Sequence, residues 1–416
     1  MPFTESSFSS SLCRACGHFP CLCKEEDPKL SREQQFAQER ESRPERLHQL
    51  RRLAEELFGE SPTLVEHITQ SFDVPQYGVY HHEGMYMDTH LALMLSVLER
   101  MTKEGMDPAL PPELQSILSQ TIGEGLSLQE RDTRKKELQK YVLLHDIAKK
   151  DCLTVRDSVS GDFEPTWDEW LAMLPEHLRR EPNPVALDAF FQSKGWTSVS
   201  YYQQNKRRFH GAEGAKVIRE HGKETDLLVA AVEQHEVSFA FEHISAEFFA
   251  ETLGGYTEEE QNWIMVASYL DLVSALQEDG KVDAAPILNM LASRENLRII
   301  REAQQKVFAR YADSFASGYF KRETVQAAVA KYLRARQSLS SVEDIQKEIL
   351  EKLGVVQYDL DRASMVLQEL GQSGVITEAQ QERLLSLMRQ GDGKTIGREF
   401  GRTLQAHMGK IKSLIV

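Results

Sequence analysis

Apolar residues follow a helical pattern over most of the chain. From about residue 47 onward they recur three and four positions apart, the spacing that lines side chains along one face of an α-helix. Leu91, Met94 and Leu98 illustrate this spacing, and so do Leu228 and Val232. Strict alternation of apolar and polar residues, which indicates a strand, is scarce. The pattern therefore predicts an all-α protein.

Residues able to cap a helix mark where several helices begin. In a capping box, a Ser or Thr before the helix and a Glu or Gln three residues later bond each other's backbone. The chain carries three such pairs, and they predict helices that begin directly after the first residue of each pair. The pairs are Thr257 with Glu260, Ser340 with Glu343, and Thr377 with Gln380.

Breaks in the helical pattern divide the chain into parts. One polar segment carries both charge signs, which indicates a linker or a solvated helix. Two other stretches interrupt the pattern, the second being rich in proline and tryptophan, and we interpret both as insertions into a simpler core. The predicted parts are a cysteine element (1–24), the charged linker or solvated helix (25–48), a helical core (49–284) with helical insertions at about 103–126 and 154–204, and a C-terminal helical module (285–416).

Composition narrows the class of protein. The 416 residues are 41% hydrophobic and 27% charged, which is enough apolar sequence for one or two cores and excludes disorder of the whole chain. A net charge of −15 argues against a surface that coats nucleic acid or anionic lipid without specificity. No apolar run is long enough to span a membrane, and the N-terminus lacks the pattern of a secretory signal. We therefore expect a cytoplasmic protein with no membrane partner.

Four of the five cysteines lie close together in the cysteine element, as Cys13, Cys16, Cys21 and Cys23. Their two-plus-two spacing resembles zinc-ribbon and knuckle elements in general, and four thiolates on a short loop suit a tetrahedral ion. We expect a structural Zn site there, with an iron–sulfur site and free thiols as the alternatives. This element and the C-terminal module are the candidates for docking on a protein or nucleic-acid partner.

A second set of candidate ligands comes from separate segments of the predicted core. The adjacent pair His145-Asp146 follows an apolar run, and His90, His235 and Asp271 each share a helix stripe with apolar or small residues. A buried carboxylate without a partner is costly, so a cation is its natural partner. Each histidine alone fits a core histidine better than a ligand. The set as a whole is what indicates a metal site.

In chain order the candidates are His90, His145-Asp146, His210, His235 and Asp271. This order resembles the H…HD…H…H…D pattern of the HD-domain metal-dependent phosphohydrolase superfamily, over roughly residues 75–280. The segments HHEGMYMDTH (81–90), YVLLHDIAKKD (141–151), FHGAEGAKVIREH (209–221) and AAVEQHE (230–236) resemble the family's ligand segments. Position 148 is Ala where the family commonly has Gly, and the long gaps leave His81 and His82 as alternatives to His90.

The resemblance implies an HD-domain core and a ligand set. His90, His145, Asp146 and Asp271 would hold a first ion, and Asp146 would bridge to a second ion held by His210 and His235. Mixed His and carboxylate ligation suits Mn, Fe, Co, Ni or Zn, one or two ions, better than Ca or Mg.

Residues beside the implied ligands would act on the substrate. Asp146 and Lys149 are the implied catalytic residues, and Lys149 would also bind a phosphate oxygen. Arg207 and Arg208, in a basic run before His210, either bind phosphate or belong to a solvated loop. Glu83 and Glu236 are the candidates for proton transfer. The aromatic residues of the second insertion either stack a base or form that segment's own core.

We therefore expect a phosphohydrolase that uses metal-activated water to hydrolyse a phosphomonoester or phosphodiester of a nucleotide or related small molecule. Two alternatives stay open. One is a non-catalytic regulatory or scaffold protein whose HD core only binds a nucleotide or metal, and the other is an HD-fold di-iron oxygenase. Convergence of the implied first-ion ligands on one point would favour an enzyme over a scaffold.

Overall fold

The structure, a computed structural model, describes residues 32–75, 86–104, 110, 112–123, 126–180, 184–275, 285–334, 341–389 and 402. Within these residues the chain forms eighteen α-helices, two 3-10 helices and two pairs of short strands. The predicted all-α class is confirmed. The chain divides into two compact units, Met1–Glu295 and Asn296–Val416.

The first unit contains twelve helices and all the described strands. The helices are α1 (Arg32–Phe58), α2 (Pro62–Ser71), α3 (Met87–Glu104), α4 (Pro112–Ile122), α5 (Leu128–Leu144), α6 (Trp167–Met173), α7 (Glu176–Arg180), α8 (Pro184–Lys194), α9 (His210–His221), α10 (Asp226–Gln234), α11 (Ala246–Thr252) and α12 (Glu258–Ser274). The 3-10 helices are Lys149–Cys152 and His235–Ala240, and the strands are β1 (Thr154–Asp157), β2 (Trp196–Ser200), β3 (Tyr202–Gln203) and β4 (Arg208–Phe209).

The second unit has a helical core of its own. Helix α13 (Ala285–Arg310) carries the division between the units, and α14 (Ala312–Ala316), α15 (Arg322–Leu333), α16 (Val342–Lys352), α17 (Val355–Gln372) and α18 (Glu378–Arg389) follow it. Leu367, Val375 and Leu384 are buried where α17 packs against α18. Among the residues described, no helix of either unit is both long and apolar enough to cross a membrane.

Helix α12 lies within the core of the first unit. Every residue from Trp263 to Ser274 is buried, so this part of the helix has no polar face, as expected of a helix enclosed by others. It packs against α3, α4 and α10. The predicted capping box begins it, because the Thr257 hydroxyl accepts from the Glu260 N–H and the Glu260 carboxylate accepts from the Thr257 N–H. Asp271 is the only Asp or Glu of this helix after its first turn, and the helix places it in the core.

The other two predicted helix starts have different outcomes. The capping box of Thr377 with Gln380 is confirmed at the start of α18. Helix α16 is instead capped by Ser341, whose hydroxyl accepts from the Asp344 N–H. The prediction of Ser340 was wrong by one residue because Ser341 and Asp344 offer the same capping chemistry one position later. Ser340 itself lies outside the described residues.

The two predicted insertions pack in different ways. In the second, β1 pairs antiparallel with β2, and β3 pairs antiparallel with β4, which lies just beyond the predicted boundary at residue 204, so short strands accompany its helices. Trp170 is fully buried there, and the rings of Phe191 and Trp196 lie 5.7 Å and 5.8 Å from its own. These aromatics form a small core for the segment itself. The first contributes α4, which packs against α5 and α12.

Helix α1 covers most of the segment predicted as a charged linker or solvated helix, so over residues 32–48 the structure has a helix. Two of its arginines reach the first turn of α3. Arg43 Nε donates to Asp88 Oδ1 at 3.2 Å and Arg46 Nε donates to Asp88 Oδ2 at 2.7 Å. Because the Asp88 side chain is fully buried, these ion pairs fix α1 against the start of α3.

Candidate metal centre

The pair His145-Asp146 stands where helix α5 ends. Residues Tyr141 to Leu144 are buried, and the His145 N–H makes a last helical bond to the Tyr141 carbonyl at 2.9 Å. Adjacent residues inside an α-helix point about 100° apart, which makes a shared direction difficult. His145 keeps helical φ and ψ angles of −58° and −34°, so the two side chains leave the backbone in different directions, yet both are buried.

His210 and His235 come from two helix ends that approach each other closely. His210 is the first residue of α9, and His235 directly follows α10. Gly211 allows the approach, because a Cβ at this position would lie 2.9 Å from the Glu233 carbonyl oxygen and 3.0 Å from that of Val232. As a result, the Nε2 atoms of His210 and His235 are 3.1 Å apart.

His90 and Asp271 form a third buried pair. His90 lies in the first turn of α3, two residues after Asp88, and Asp271 lies near the end of α12. The His90 Nε2 atom is 3.0 Å from Asp271 Oδ1, and the same oxygen is 4.0 Å from His145 Nε2. Three segments far apart in sequence thus meet at this oxygen.

Asp146 lies between two groups of potential ligands, and each of its oxygens faces one group. Oδ2 is 3.1 Å from His145 Nε2, whereas Oδ1 is 3.1 Å from His210 Nε2 and 3.5 Å from His235 Nε2. Two ligand atoms that each lie about 2.1 Å from one ion, with a right angle between the two bonds, are about 3.0 Å apart. The separations around Asp146 therefore suit coordination. The two groups compatible with an ion are His90-His145-Asp146 and Asp146-His210-His235.

Backbone carbonyls fix three of the histidine rings. In each, Nδ1 lies at hydrogen-bond distance from a carbonyl oxygen, which can only accept, so Nδ1 carries the proton. A neutral ring then presents the Nε2 lone pair to the cluster, the usual arrangement of a metal-binding histidine. The pairs are His145 with Val142 (2.9 Å), His210 with Tyr201 (3.2 Å) and His235 with Val232 (2.7 Å).

Some of these inward-facing atoms lack hydrogen bonds of acceptable geometry. Within the described part of the chain, this is true of both carboxylate oxygens of Asp146 and of His145 Nε2, all of which are buried. Buried polar atoms in this condition cost free energy and call for an explanation such as an ion. The residues present therefore fit a metal on the chemistry of their donor atoms.

The two carboxylates of the cluster are ionised. Burial by itself would raise the pKa of Asp146, but the interactions with His145 and with the Lys149 ammonium hold that pKa well below its usual value. Burial likewise opposes ionisation of Asp271, whose pKa is nevertheless lowered by its hydrogen bond with His90. Both side chains are therefore available as anionic ligands at neutral pH.

The histidines differ in protonation. Burial lowers the pKa of His145 and outweighs the attraction of Asp146, which keeps the ring neutral at pH 7. Burial would lower the pKa of His235 as well, but the close Asp146 carboxylate and the charge of Glu236 raise it to about 9. An ion that binds to His235 must therefore displace a proton.

A cavity of about 370 Å³ opens onto the cluster, and Lys149 and Glu236 lie on its wall beside Asp146. The Lys149 Nζ atom is buried 2.7 Å from Asp146 Oδ2. Burial alone would lower the pKa of Lys149, but the Asp146 carboxylate raises it above its usual value, so the ammonium stays charged. Glu236 Oε1 lies 3.5 Å from His210 Nε2.

The two other described basic candidates do not line this cavity. Arg208 pairs with Glu213 at 3.0 Å and Arg207 is exposed, and neither lines the cavity, so their role in phosphate binding stays a prediction. The remaining candidates lie outside the described residues: Cys13, Cys16, Cys21, Cys23, His81, His82 and Glu83.

Sequence reasoning did not identify the residues that position the ligands. Gly211 gave a usable signal, because a glycine at the start of a helix indicates a close approach of backbones. Asp88 and its arginine partners gave none, since ion pairs across 42 and 45 positions cannot be read from local patterns. Phe209, which lines the cavity, was not identified either, because only its neighbour His210 had ligand character.

Comparison with protein-family models, with curated proteins and with solved structures gives no match for this chain. Its function must therefore be inferred from the residues of the cluster and the cavity beside it.

Proposed function

We propose that this chain is a metal-dependent phosphohydrolase of the HD-domain type, which hydrolyses a phosphomonoester or phosphodiester of a nucleotide or related small molecule. The observation that carries the proposal is the shared carboxylate of Asp146, with a separate group of buried ligands at each oxygen. Such a carboxylate can bridge two ions, and paired ions beside a cavity are a recurrent device for phosphoester hydrolysis. The matching order of the ligands along the chain adds support.

The ligand set favours transition metals in the cluster. Four imidazoles and two carboxylates suit Mn, Fe, Co, Ni or Zn, whereas Mg and Ca prefer oxygen ligands. When bound, such ions would stabilise charge on a phosphoryl oxygen and lower the pKa of a water molecule. We retain Zn as the expected ion of the N-terminal cysteine element, a protein or nucleic-acid partner for the terminal parts, and the cytoplasm as the compartment.

Two residues on the cavity wall are placed to act on a phosphoester. The buried, charged ammonium of Lys149 can donate to a phosphate oxygen, and its ion pair with Asp146 holds it in position. Glu236 is the described acidic candidate for proton transfer, because it lines the cavity and the other candidate, Glu83, lies outside the described residues. His210 and His235 would position the second ion.

Metal analysis of the purified protein, followed by hydrolysis assays, tests the proposal. The assays use phosphomonoesters and phosphodiesters with added Mn, Co or Ni. Wild type, Asp146→Ala and Asp313→Ala are compared, the last being a matched control on the exposed first turn of α14. We expect wild type and Asp313→Ala to retain metal and hydrolyse a phosphoester, and Asp146→Ala to lose both.

Each other outcome points elsewhere. Equal hydrolysis by wild type and Asp146→Ala would refute the role of Asp146. Bound metal without hydrolysis of any phosphoester would favour the non-catalytic regulatory protein. Bound iron with consumption of dioxygen would favour the oxygenase.

A further inference from the structure

Part of the cavity wall is apolar. Phe209, Phe239 and Ala240 line the same cavity as Asp146 and Lys149. A phosphate group and the ions that bind it need polar partners, so these apolar side chains have no part in binding the phosphate. They indicate that the molecule that occupies the cavity has an apolar portion as well as a phosphate.

Phe209 and Tyr202 form an exposed aromatic pair beside this cavity. They face each other across the antiparallel pairing of β3 with β4, and their ring centroids are 5.7 Å apart. Their exposed fractions are 38% for Phe209 and 40% for Tyr202. The fold therefore leaves two neighbouring aromatic faces accessible instead of burying them.

The aromatic pair is also connected to the metal ligands. Phe209 directly precedes His210, and the two rings stack with centroids 5.3 Å apart and planes inclined by 21°. The backbone that places His210 in the cluster thus also places Phe209 on the cavity wall. The cavity volume of about 370 Å³ lies at the small end of ligand sites, so one small molecule can contact both Phe209 and the metal cluster at Asp146.

We propose that Phe209, assisted by Tyr202 and Phe239, stacks on a planar ring of the substrate, and that this contact selects phosphoesters that carry an aromatic heterocycle. The inference rests on the proposed function and deepens it by naming the residues that choose the substrate. Stacking on an aromatic side chain tolerates different bases, so selection is for the presence of a ring and not for one ring.

Two phosphomonoesters that differ only in the ring test this inference. Adenosine 5′-monophosphate and ribose 5-phosphate carry the same phosphate on the same sugar carbon, with and without a base. The full-length protein, loaded with Mn, is assayed as wild type, Phe209→Ala and Phe209→Trp, with Tyr319→Ala as a control for loss of an exposed aromatic, 58% accessible. We expect Phe209→Ala to reduce kcat/KM for the nucleotide about tenfold more than for the sugar phosphate. Phe209→Trp and Tyr319→Ala should keep the wild-type ratio.

A binding measurement without metal or turnover provides a second readout. Saturation-transfer NMR with adenosine in the presence of EDTA should give signals from the adenine protons in wild type and Tyr319→Ala, and weaker signals in Phe209→Ala. Equal kcat/KM for the two substrates, together with no adenosine signal, would overturn the inference and leave the proposed function intact. Adenosine signals that depend on Phe209, without hydrolysis of any phosphoester, would instead refute the proposed function.

Discussion

Replacing Gly211 by alanine should separate the helix ends that bring His210 and His235 together. The new Cβ would lie 2.9 Å and 3.0 Å from the carbonyl oxygens of Glu233 and Val232. Ordinary contact begins at about 3.5 Å, so the start of α9 must move by about half an ångström. Overpacking of this kind costs about 1–3 kcal/mol, whereas the higher helix propensity of alanine returns at most about 1 kcal/mol. We expect a net loss of about 1 kcal/mol in the free energy of unfolding.

The larger effect of this substitution should be on metal binding. A ligand displaced by half an ångström weakens coordination, and changes in residues that orient ligands typically reduce affinity about 10- to 100-fold. Calorimetric titration of the variant with Mn should show one ion bound with an affinity near that of wild type. The second ion should bind at least about tenfold more weakly than it does to wild type. The first ion is spared because His90, His145 and Asp271 lie on other segments.

Gly255→Ala is the matched control for Gly211→Ala. No atom lies within 4 Å of the Cβ that alanine would add at Gly255, so metal binding should not change. If Gly211→Ala bound two ions with wild-type affinity, the close approach of α9 to α10 would not be what positions His210 and His235.

Three further predictions concern charged groups. Asp88→Asn should reduce the free energy of unfolding by about 2 kcal/mol in urea titrations, because it removes the buried carboxylate charge that both Arg43 and Arg46 contact; a change below about 0.5 kcal/mol would contradict this. Lys149→Met should raise the affinity for Mn, since a positive charge 2.7 Å from Asp146 Oδ2 is removed, yet lower kcat/KM for the phosphoester; unchanged kcat/KM would exclude Lys149 from phosphate binding. Metal affinity should rise with pH, because an ion competes with a proton for His235, whose pKa without metal is about 9 against a usual 6.5. The protonated ring stabilises the metal-free fold fully below pH 6.5, and this contribution is lost as pH rises through 9. Affinity should therefore increase about tenfold per pH unit until about pH 9 and then level off, and a flat profile from pH 7 to 9 would show that no proton is displaced.

Much of the fold could be predicted because helical periodicity is a local property. The apolar stripe of α3 and the capping box of α12 both follow from side chains a few positions apart. The strand pairs of the second insertion could not be predicted in this way. Their strands have two to five residues, too short for alternation to register, and β1 pairs with a partner about 40 residues later in the chain.

The residues of the candidate site could be predicted from the sequence, but their arrangement in space could not. The order of histidines and aspartates indicates which segments contribute, but the distances between their ligand atoms depend on how α3, α9, α10 and α12 pack around the end of α5. That packing is tertiary, and periodicity along the chain does not register it. Arg208 instead forms a local ion pair with Glu213, five residues later on α9, which sequence reasoning did not anticipate.

Anomalous scattering from crystals soaked in Mn tests the central claim most directly, since it locates ions without reference to activity. We predict two peaks that share Asp146 as a ligand, one beside His90, His145 and Asp271 and the other beside His210 and His235. Absence of any peak at Asp146 after saturation with Mn, or peaks only at exposed carboxylates elsewhere, would contradict it.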